Sequence, residues 1–128
     1  MTDDMVLDTS AILAAILQED GGAQVYEILA PRFVSTVNVV EVRTKLIDKG
    51  RSEFEIDAAL ELIDMVEMDF TSAQARFASG LRDKTRTAGL SVGDRACLAL
   101  AAERDAIAMT ADKVWKKVEL PVRVKMIR

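Results

Sequence analysis

Residues 90–112 read LSVGDRACLALAAERDAIAMTAD, and this stretch decides the fold class. Ser91 is followed three residues later by Asp94, a capping-box spacing that predicts the start of a helix. The helix that follows, residues 92–104, is apolar on all sides over most of its length, so we expect it to be buried. A short apolar run, residues 106–109, comes directly afterwards and predicts a strand.

Outward from this stretch, strands and helices alternate along the whole chain. Strands are predicted at residues 5–7, 32–34, 106–109 and 122–127, the last at a sheet edge, while residues 65–68 are either a strand or a connector. Helices are predicted at residues 11–18, 22–30, 37–49, 52–63, 71–87 and 92–104, with a single turn at 113–117. This alternation predicts an α/β fold, a mostly parallel sheet with helices on both faces (α/β/α). No linker interrupts it, so we interpret residues 1–128 as one domain.

Polar residues at the predicted helix starts supply the caps. The candidates are Thr9 or Ser10 for the first helix, Ser35 or Thr36 for the helix 37–49, and capping boxes formed by Ser52 with Glu55 and by Thr71 with Gln74.

The composition is that of a globular protein, with half of the 128 residues hydrophobic and 30% charged. No apolar run approaches the roughly 18 residues of a membrane-spanning helix. The first four residues, MTDD, are acidic, whereas an export signal begins with basic residues. A single cysteine, Cys97, forms no internal disulfide and fits a reducing compartment. We therefore expect a cytoplasmic protein in which Cys97 is a buried packing residue.

The absence of histidine excludes several kinds of active site. A Ser-His-Asp triad, a Cys-His pair and a His-ligated zinc site all need that residue. Neither GxxxxGK[ST] nor GxGxxG is present to bind a nucleotide phosphate. If the protein is an enzyme, its chemistry must come from carboxylates, hydroxyls, Lys and Arg, together with a hard cation.

Four carboxylates are predicted to meet at one edge of the sheet. Asp8 and Asp112 each follow a predicted strand, and ligand sites in such sheets lie beyond the carboxyl ends of the strands. Asp94 reaches the same edge because its helix runs antiparallel to the next strand. Glu41 does so because its helix begins just after the strand 32–34.

Such a cluster needs a positive partner, because neighbouring carboxylates raise one another's pKa. Oxygen ligands and water suit Mg²⁺ or Mn²⁺. An ion of this kind activates water and stabilises charge on phosphate, which predicts hydrolysis of a phosphodiester.

Each acid except Asp8 also has a purely structural interpretation. Asp94 completes a capping box, Asp112 caps the turn 113–117, and Glu41 is an ordinary solvated helix residue. An aspartate that ends an apolar strand has no such evident role. The convergence of the four residues, and no single one of them, therefore favours a metal site.

Four stretches resemble the PIN-domain family, and within it the VapC-like toxin ribonucleases of type II toxin–antitoxin pairs. They are VLDTSA at 6–11, NVVEV at 38–42, LSVGDRACLALA at 90–101, and MTAD at 109–112 together with Trp115. They occur in the family's order and spacing, and the third is the most specific. No acidic position of the pattern is missing, and the resemblance extends over the whole chain.

The resemblance implies a Mg²⁺- or Mn²⁺-dependent endoribonuclease. Asp8 and Asp94 would be the principal metal ligands, and Glu41 and Asp112 would complete the acidic pocket directly or through water. Two hydroxyl side chains, those of Ser10 and Thr110, would support a ligand carboxylate or a metal-bound water, or simply cap a helix or turn. Arg95 would contact substrate or partner, or form a surface salt bridge. The implied partners are RNA, a cognate antitoxin protein and a second copy of the chain.

The net charge of −4 is unusual for a protein that binds RNA. Without the four candidate ligands, the 21 acidic residues become 17, which equals the 17 Lys and Arg residues. Two divalent ions would neutralise the excess. Basic stretches at 82–86 and at Lys113, Lys116 and Lys117 are either phosphate contacts or solvated faces.

Other functions use similar residues. A haloacid-dehalogenase-type phosphatase has a second Asp two residues after the first, where this chain has Ser10. A receiver domain needs an acidic pair near the first strand and an acceptor Asp after a mid-chain strand, which Asp64 and Asp69 fit poorly. A PIN fold retained only for binding, or a PIN-domain nuclease outside the toxin group, also remains open. Acyl-phosphate formation and metal-dependent RNA cleavage distinguish these classes.

Overall fold

A five-stranded parallel sheet lies at the centre of the protein. The structure is a computed structural model and describes residues 3–128; Met1 and Thr2, part of the acidic N-terminus noted above, lie outside the described residues. The strands are β1 (Met5–Leu7), β2 (Arg32–Ser35), β3 (Val66–Met68), β4 (Ile107–Thr110) and β5 (Val124–Met126). Their order is β3-β2-β1-β4-β5, and all four pairings are parallel. The predicted α/β class is confirmed, and the run at 65–68 is a strand.

Helices cover both faces of this sheet. They are α1 (Thr9–Ile16), α2 (Ala23–Tyr26), α3 (Thr36–Asp48), α4 (Glu53–Ile63), α5 (Ser72–Gly80), α6 (Arg82–Thr85) and α7 (Val92–Arg104), followed by a 3₁₀ turn (Lys113–Lys117). None of the helices in residues 3–128 is long and apolar enough to cross a membrane.

The core consists of two apolar layers, one on each side of the sheet. Successive β1 residues alternate between them, as a pleated strand requires: Leu7 packs with α1, α3 and α4, whereas Val6 packs with α7. Helix α7 contributes Cys97, Leu98, Leu100 and Ala101 to the second layer, and Cys97 is fully buried. The predicted burial of this helix and of its cysteine is confirmed.

The strand order also tests one alternative. A receiver domain has the flavodoxin-like order 2-1-3-4-5, in which the second strand lies at one edge. Here β2 lies between β1 and β3, and the edge position belongs to β3. The fold is therefore not that of a receiver domain.

Several helix boundaries differ from the prediction. Asp8, and neither Thr9 nor Ser10, is the N-cap of α1, so the helix begins at Thr9. The predicted helix 71–87 is two helices, because the chain turns at Leu81, which is buried in the second core layer.

The predicted Thr71–Gln74 box is only half formed. The Gln74 amide group donates to Glu103 on α7 and does not return to the cap. Helix α2 ends at Tyr26, four residues earlier than predicted. The Ser35 cap and the Ser52–Glu55 and Ser91–Asp94 boxes are as predicted.

Candidate active site

The carboxyl edge of the sheet brings the four predicted acids to one cleft. Asp8 lies between β1 and α1, Glu41 is in the second turn of α3, Asp94 is in the first turn of α7, and Asp112 follows β4 by two residues. All four line a cleft of about 540 Å³. Because the strands are parallel, the elements that carry these residues all meet at this edge.

Asp8 is the most buried of the four, with 1% of its surface exposed. Its Oδ2 atom accepts hydrogen bonds from the hydroxyl of Ser10 at 2.7 Å and of Thr110 at 2.9 Å, and a longer one from the Ser10 backbone N–H at 3.4 Å. Its Oδ1 atom is buried and has no hydrogen-bond partner among the described residues. One oxygen is therefore fixed by hydrogen bonds, and the other is buried without a hydrogen-bond partner.

The two hydroxyls hold the strand ends together as well as the carboxylate. Ser10 Oγ accepts from the backbone N–H of Ala111 at 2.9 Å, and Thr110 Oγ1 accepts from that of Asp112 at 3.0 Å. Since each hydroxyl has a single proton and directs it to Asp8, the pair presents a fixed set of donors to Oδ2. The structure thus brings together Asp8, Ser10 and Thr110, which the sequence had grouped.

A second hydrogen-bond group holds Glu41. Its Oε1 atom accepts from the Thr9 hydroxyl at 2.6 Å and from the Asn38 amide at 3.4 Å. The fully buried Asn38 amide also donates to Thr9 Oγ1 at 3.0 Å and to the Gly93 carbonyl at 3.1 Å. These bonds tie α3 to α1 and α7, and they fix the Glu41 carboxylate at the cleft.

Gly93 leaves the space that this carboxylate occupies. A Cβ atom built at Gly93 would overlap the Glu41 carboxyl group. The glycine therefore allows the α7 backbone to approach Glu41 more closely than any other residue would.

Asp94 and Asp112 are held by the local caps that the sequence predicted. Asp94 Oδ2 accepts from the Ser91 backbone N–H at 2.8 Å, and Asp112 Oδ1 accepts from the Val114 backbone N–H at 3.0 Å. Each cap fixes one carboxylate oxygen beside the cleft. Capping and a place in the cleft are therefore compatible.

Burial and like charge raise the pKa values in this cluster. The pKa of Asp8 rises from 3.8 to about 6, first because of its burial and second because of the neighbouring Asp94 charge. The pKa of Asp94 is also raised, chiefly by burial and further by Asp112 and Glu41. The pKa of the Cys97 thiol is raised well above its ordinary range by burial, with contributions from Asp8, Asp94 and Glu41. This cysteine is thus an unreactive core residue behind the acids.

The donors fit a hard divalent cation. The unpartnered Asp8 Oδ1 atom lacks a positive or donating group, and the cleft offers further carboxylate oxygens and no nitrogen or sulfur ligand from His or Cys. Among residues 3–128, no three acidic side chains lie close enough to enclose an ion by themselves. Waters would therefore complete the coordination, which Mg²⁺ commonly requires.

Sequence reasoning missed Thr9, Asn38 and Gly93 as residues of this site. Asn38 lies one helical turn before Glu41, which is a recognisable signal for contact on one helix face. Nothing in the sequence shows that α1 and α7 approach that face. Arg95 is neither at the cleft nor in a salt bridge of the described residues, since its guanidinium donates to the Ala78 carbonyl of α5 at 3.0 Å.

The comparison with protein families agrees with this arrangement. The model of the family described as PIN domain matches residues 5–120. The chain belongs to the PIN-domain family, which consists of nucleases that are generally dependent on divalent metals. No curated protein matches it by sequence.

Solved structures with the same fold include chains from toxin–antitoxin complexes. A chain of a toxin–antitoxin complex from Klebsiella pneumoniae is 17% identical with a TM-score of 0.76, over 97% of this chain and 98% of that one. A chain of VapBC2 from Rickettsia felis, bound to a DNA fragment from its promoter, is 18% identical with a TM-score of 0.73, over 96% of this chain and 98% of that one. A chain of VapBC-5 from Mycobacterium tuberculosis is 23% identical with a TM-score of 0.64, over 98% of each chain. At these identities the likeness establishes the fold.

The raised pKa of Asp8 predicts how stability depends on pH. Between about pH 4 and 6 the folded protein keeps a proton that the unfolded chain has lost, so the free energy of unfolding falls as pH rises. Asp8→Asn removes this cost and keeps a capping side chain. In EDTA, its stability relative to the wild type should increase by up to about 3 kcal/mol between pH 4 and pH 7.

Urea denaturation across this pH range measures the difference. Glu61→Gln, at an exposed position on α4 away from the cleft, is the control, and its free energy of unfolding should differ from that of the wild type by the same amount at every pH. A pH-independent difference for Asp8→Asn as well would contradict the burial of a titrating carboxyl at this position.

The contact between Gly93 and Glu41 predicts an energetic coupling. Gly93→Ala must displace the Glu41 carboxylate from Thr9 and leave the buried Asn38 amide with poorer partners, at a cost of about 1–2 kcal/mol. In a Glu41→Ala background the same substitution should be neutral or slightly stabilising, because alanine is the better helix former. A double-mutant cycle by urea denaturation measures this coupling. Equal effects in both backgrounds would mean that the two residues do not interact.

Proposed function

We propose that this protein is an endoribonuclease that hydrolyses RNA phosphodiester bonds with Mg²⁺ or Mn²⁺. The observation that carries the proposal is the buried carboxylate of Asp8, which lines a cleft together with three further acids; one of its oxygens is fixed by two hydroxyls and the other is buried without a hydrogen-bond partner. Membership of a nuclease family supports the same reaction.

Asp8 and Asp94 would hold the ion, and Glu41 and Asp112 would complete the pocket directly or through water. When bound, the ion supplies activation of water for attack on phosphorus and neutralisation of phosphate charge. Burial disfavours the charged forms of Asp8 and Asp94 and raises their pKa values, and a bound cation would offset this effect by stabilising the ionised carboxylates.

The remaining residues of the site orient the acids. Ser10 and Thr110 fix the plane of the Asp8 carboxyl group, and Thr9 with Asn38 fixes that of Glu41. Asp8 and Asp94 also lie at the N-terminal ends of α1 and α7, where the helix dipole stabilises negative charge. The acids are thus held in position before substrate arrives, which lowers the cost of reaching a productive arrangement.

We further propose that the nuclease acts as the toxin of a toxin–antitoxin pair, with a cognate antitoxin protein as partner and a homodimer as its assembly. The support is the resemblance of the sequence stretches and the fold shared with VapBC and other toxin–antitoxin complexes. An antitoxin would keep the enzyme inactive most simply by covering the acidic cleft. An arginine suits this role because its planar guanidinium matches a carboxylate.

Cleavage of single-stranded RNA tests the reaction. The wild type should cleave in Mg²⁺ or Mn²⁺ and stop in EDTA, since none of the four acids forms a salt bridge with a Lys or Arg of residues 3–128 that could replace the charge of the ion. Asp8→Asn and Asp94→Asn should lower the rate by at least about a hundredfold with folding intact, while Glu61→Gln should retain wild-type activity. Undiminished cleavage in EDTA by nuclease-free protein would exclude a metal-dependent reaction. Accumulation of an acyl phosphate on Asp8, without RNA cleavage, would indicate a phosphatase.

Growth of a bacterial host tests the biological role. Expression of the wild type should arrest growth, co-expression of the neighbouring gene should restore it, and Asp94→Asn should be harmless at equal protein level. Arrest that persists with Asp94→Asn would mean that the acidic site does not cause the toxicity. RNA cleavage in vitro without arrest would indicate a PIN-domain nuclease outside the toxin group.

A further inference from the structure

The cleft continues beyond the four acids as a groove between α1 and α3. One wall presents Thr9, Leu13 and Leu17, which are spaced four residues apart along α1 and its C-cap. The opposite wall presents Glu41, Lys45 and Lys49 with the same spacing along α3 and its C-cap. The hydrogen bond between Thr9 and Glu41 joins the two rows at the acidic end. We call this feature the α1–α3 groove.

The charge along the α3 wall changes sign with distance from the site. Glu41 is bonded to Thr9 and Asn38 and makes no salt bridge with Lys45, its neighbour one turn on. Lys45 and Lys49 are exposed, and neither forms a salt bridge with any of residues 3–128. At the far end Arg128 is paired with Glu19 at 3.5 Å. Within the described part of the cleft, the two lysines are therefore its unneutralised cations.

The dimensions and polarity of the groove suit one strand of nucleic acid. Residues four apart on a helix are separated by about 6 Å along its axis, which is comparable with the spacing of successive phosphates in an extended strand. The facing Leu13 and Leu17 side chains are half-buried and form an apolar wall. A single strand likewise has a charged backbone on one side and apolar base faces on the other.

We propose that the α1–α3 groove binds the single-stranded RNA on one side of the scissile phosphodiester, with two successive phosphates at Lys45 and Lys49 and the bases against Leu13 and Leu17. This inference depends on the proposed ribonuclease function. It identifies the residues that hold the substrate strand and the direction in which that strand leaves the acidic site.

The basic stretches singled out from the sequence lie elsewhere. Lys84 and Lys117 line a different cleft, which shares no lining residue with the acidic one. Neither Lys113 nor Lys116 lines the acidic cleft. Continuity with the acidic site therefore favours Lys45 and Lys49, which lie outside those basic stretches.

Binding to an inactive protein tests the groove directly. In an Asp8→Asn background with Mg²⁺, the double variant Lys45→Gln/Lys49→Gln should bind a labelled single-stranded RNA at least about tenfold more weakly. The slope of log affinity against log salt should fall by about 1.4, since each lost phosphate contact of a single strand contributes about 0.7. The charge-conserving Lys45→Arg/Lys49→Arg variant should bind within about twofold of its parent.

The matched control removes the same charge from the other basic cleft. Lys84→Gln/Lys117→Gln should change RNA affinity less than about twofold. An equal loss in this control would show a general charge effect and overturn the proposal. The proposal would also be overturned if Lys45→Gln/Lys49→Gln lowered the affinity for the antitoxin and left the affinity for RNA unchanged. The groove would then bind the antitoxin and not the RNA.

Cleavage kinetics with a fully active Asp8 complete the test. Lys45→Gln/Lys49→Gln should raise KM for a long single-stranded substrate at least about fivefold, with a smaller change in kcat and an unchanged melting temperature. Shortening the RNA on one side of the cut should remove this difference, and shortening it on the other side should not. If the wild type cleaves RNA and Lys45→Gln/Lys49→Gln cleaves it with the same KM, the proposed role of the groove is wrong and the proposed nuclease function stands. A wild type that does not cleave RNA would instead overturn the proposed function.

Discussion

A buried carboxylate is the constraint on which the rest of the structure depends. Asp8 lies between the central strand β1 and helix α1, where water is excluded and where Asp94 adds a second negative charge. The fold supplies hydrogen bonds to only one of its two oxygens: two hydroxyls donate to Oδ2, and Oδ1 has no partner among the described residues. A site that exists only to stabilise the fold would satisfy both oxygens or contain an apolar residue. Under the proposed function, this unpartnered oxygen marks a position where folding stability is lower so that a cation can bind.

The same edge shows how capping and chemistry share residues. Asp8, Asp94 and Asp112 each accept a bond from the backbone at the start of a helix or turn, and each also lines the cleft. A structural reading of each aspartate and a functional one are therefore not alternatives. The cap fixes one oxygen and the orientation of the carboxyl plane, while the positive end of the helix dipole offsets part of the repulsion among the acids. Parallel topology makes this possible because the β1–α1 junction, the N-terminus of α7 and the end of β4 meet at one edge.

The fold class and the four acids could be predicted from the sequence because both depend on local patterns. Each short apolar run, capping box or carboxylate after a strand can be recognised within a window of about ten residues. The features that were predicted wrongly or missed depend on contacts between distant segments of the chain. The break at Leu81 follows from packing against the second core layer, and the Asn38 and Gly93 roles depend on the approach of α3 to α7, 55 residues apart in the chain. The spacing of Lys45 and Lys49 relative to Glu41 was visible, but only the rotation of α3 against α1 shows that all three face one cleft.

The arrangement of charge explains how a chain with a net charge of −4 can bind RNA under the proposed function. The four acids by themselves repel a phosphate, and they lie in the same cleft as the two free lysines of the α1–α3 groove. Neutralisation of the acids by divalent cations would reverse the balance of that cleft, so that the lysines then dominate its field. Metal and RNA would consequently favour each other's binding. By thermodynamic linkage, the factor by which the metal raises RNA affinity must equal the factor by which RNA raises metal affinity. A cleft built in this way admits substrate chiefly when the ion needed for its hydrolysis is already present.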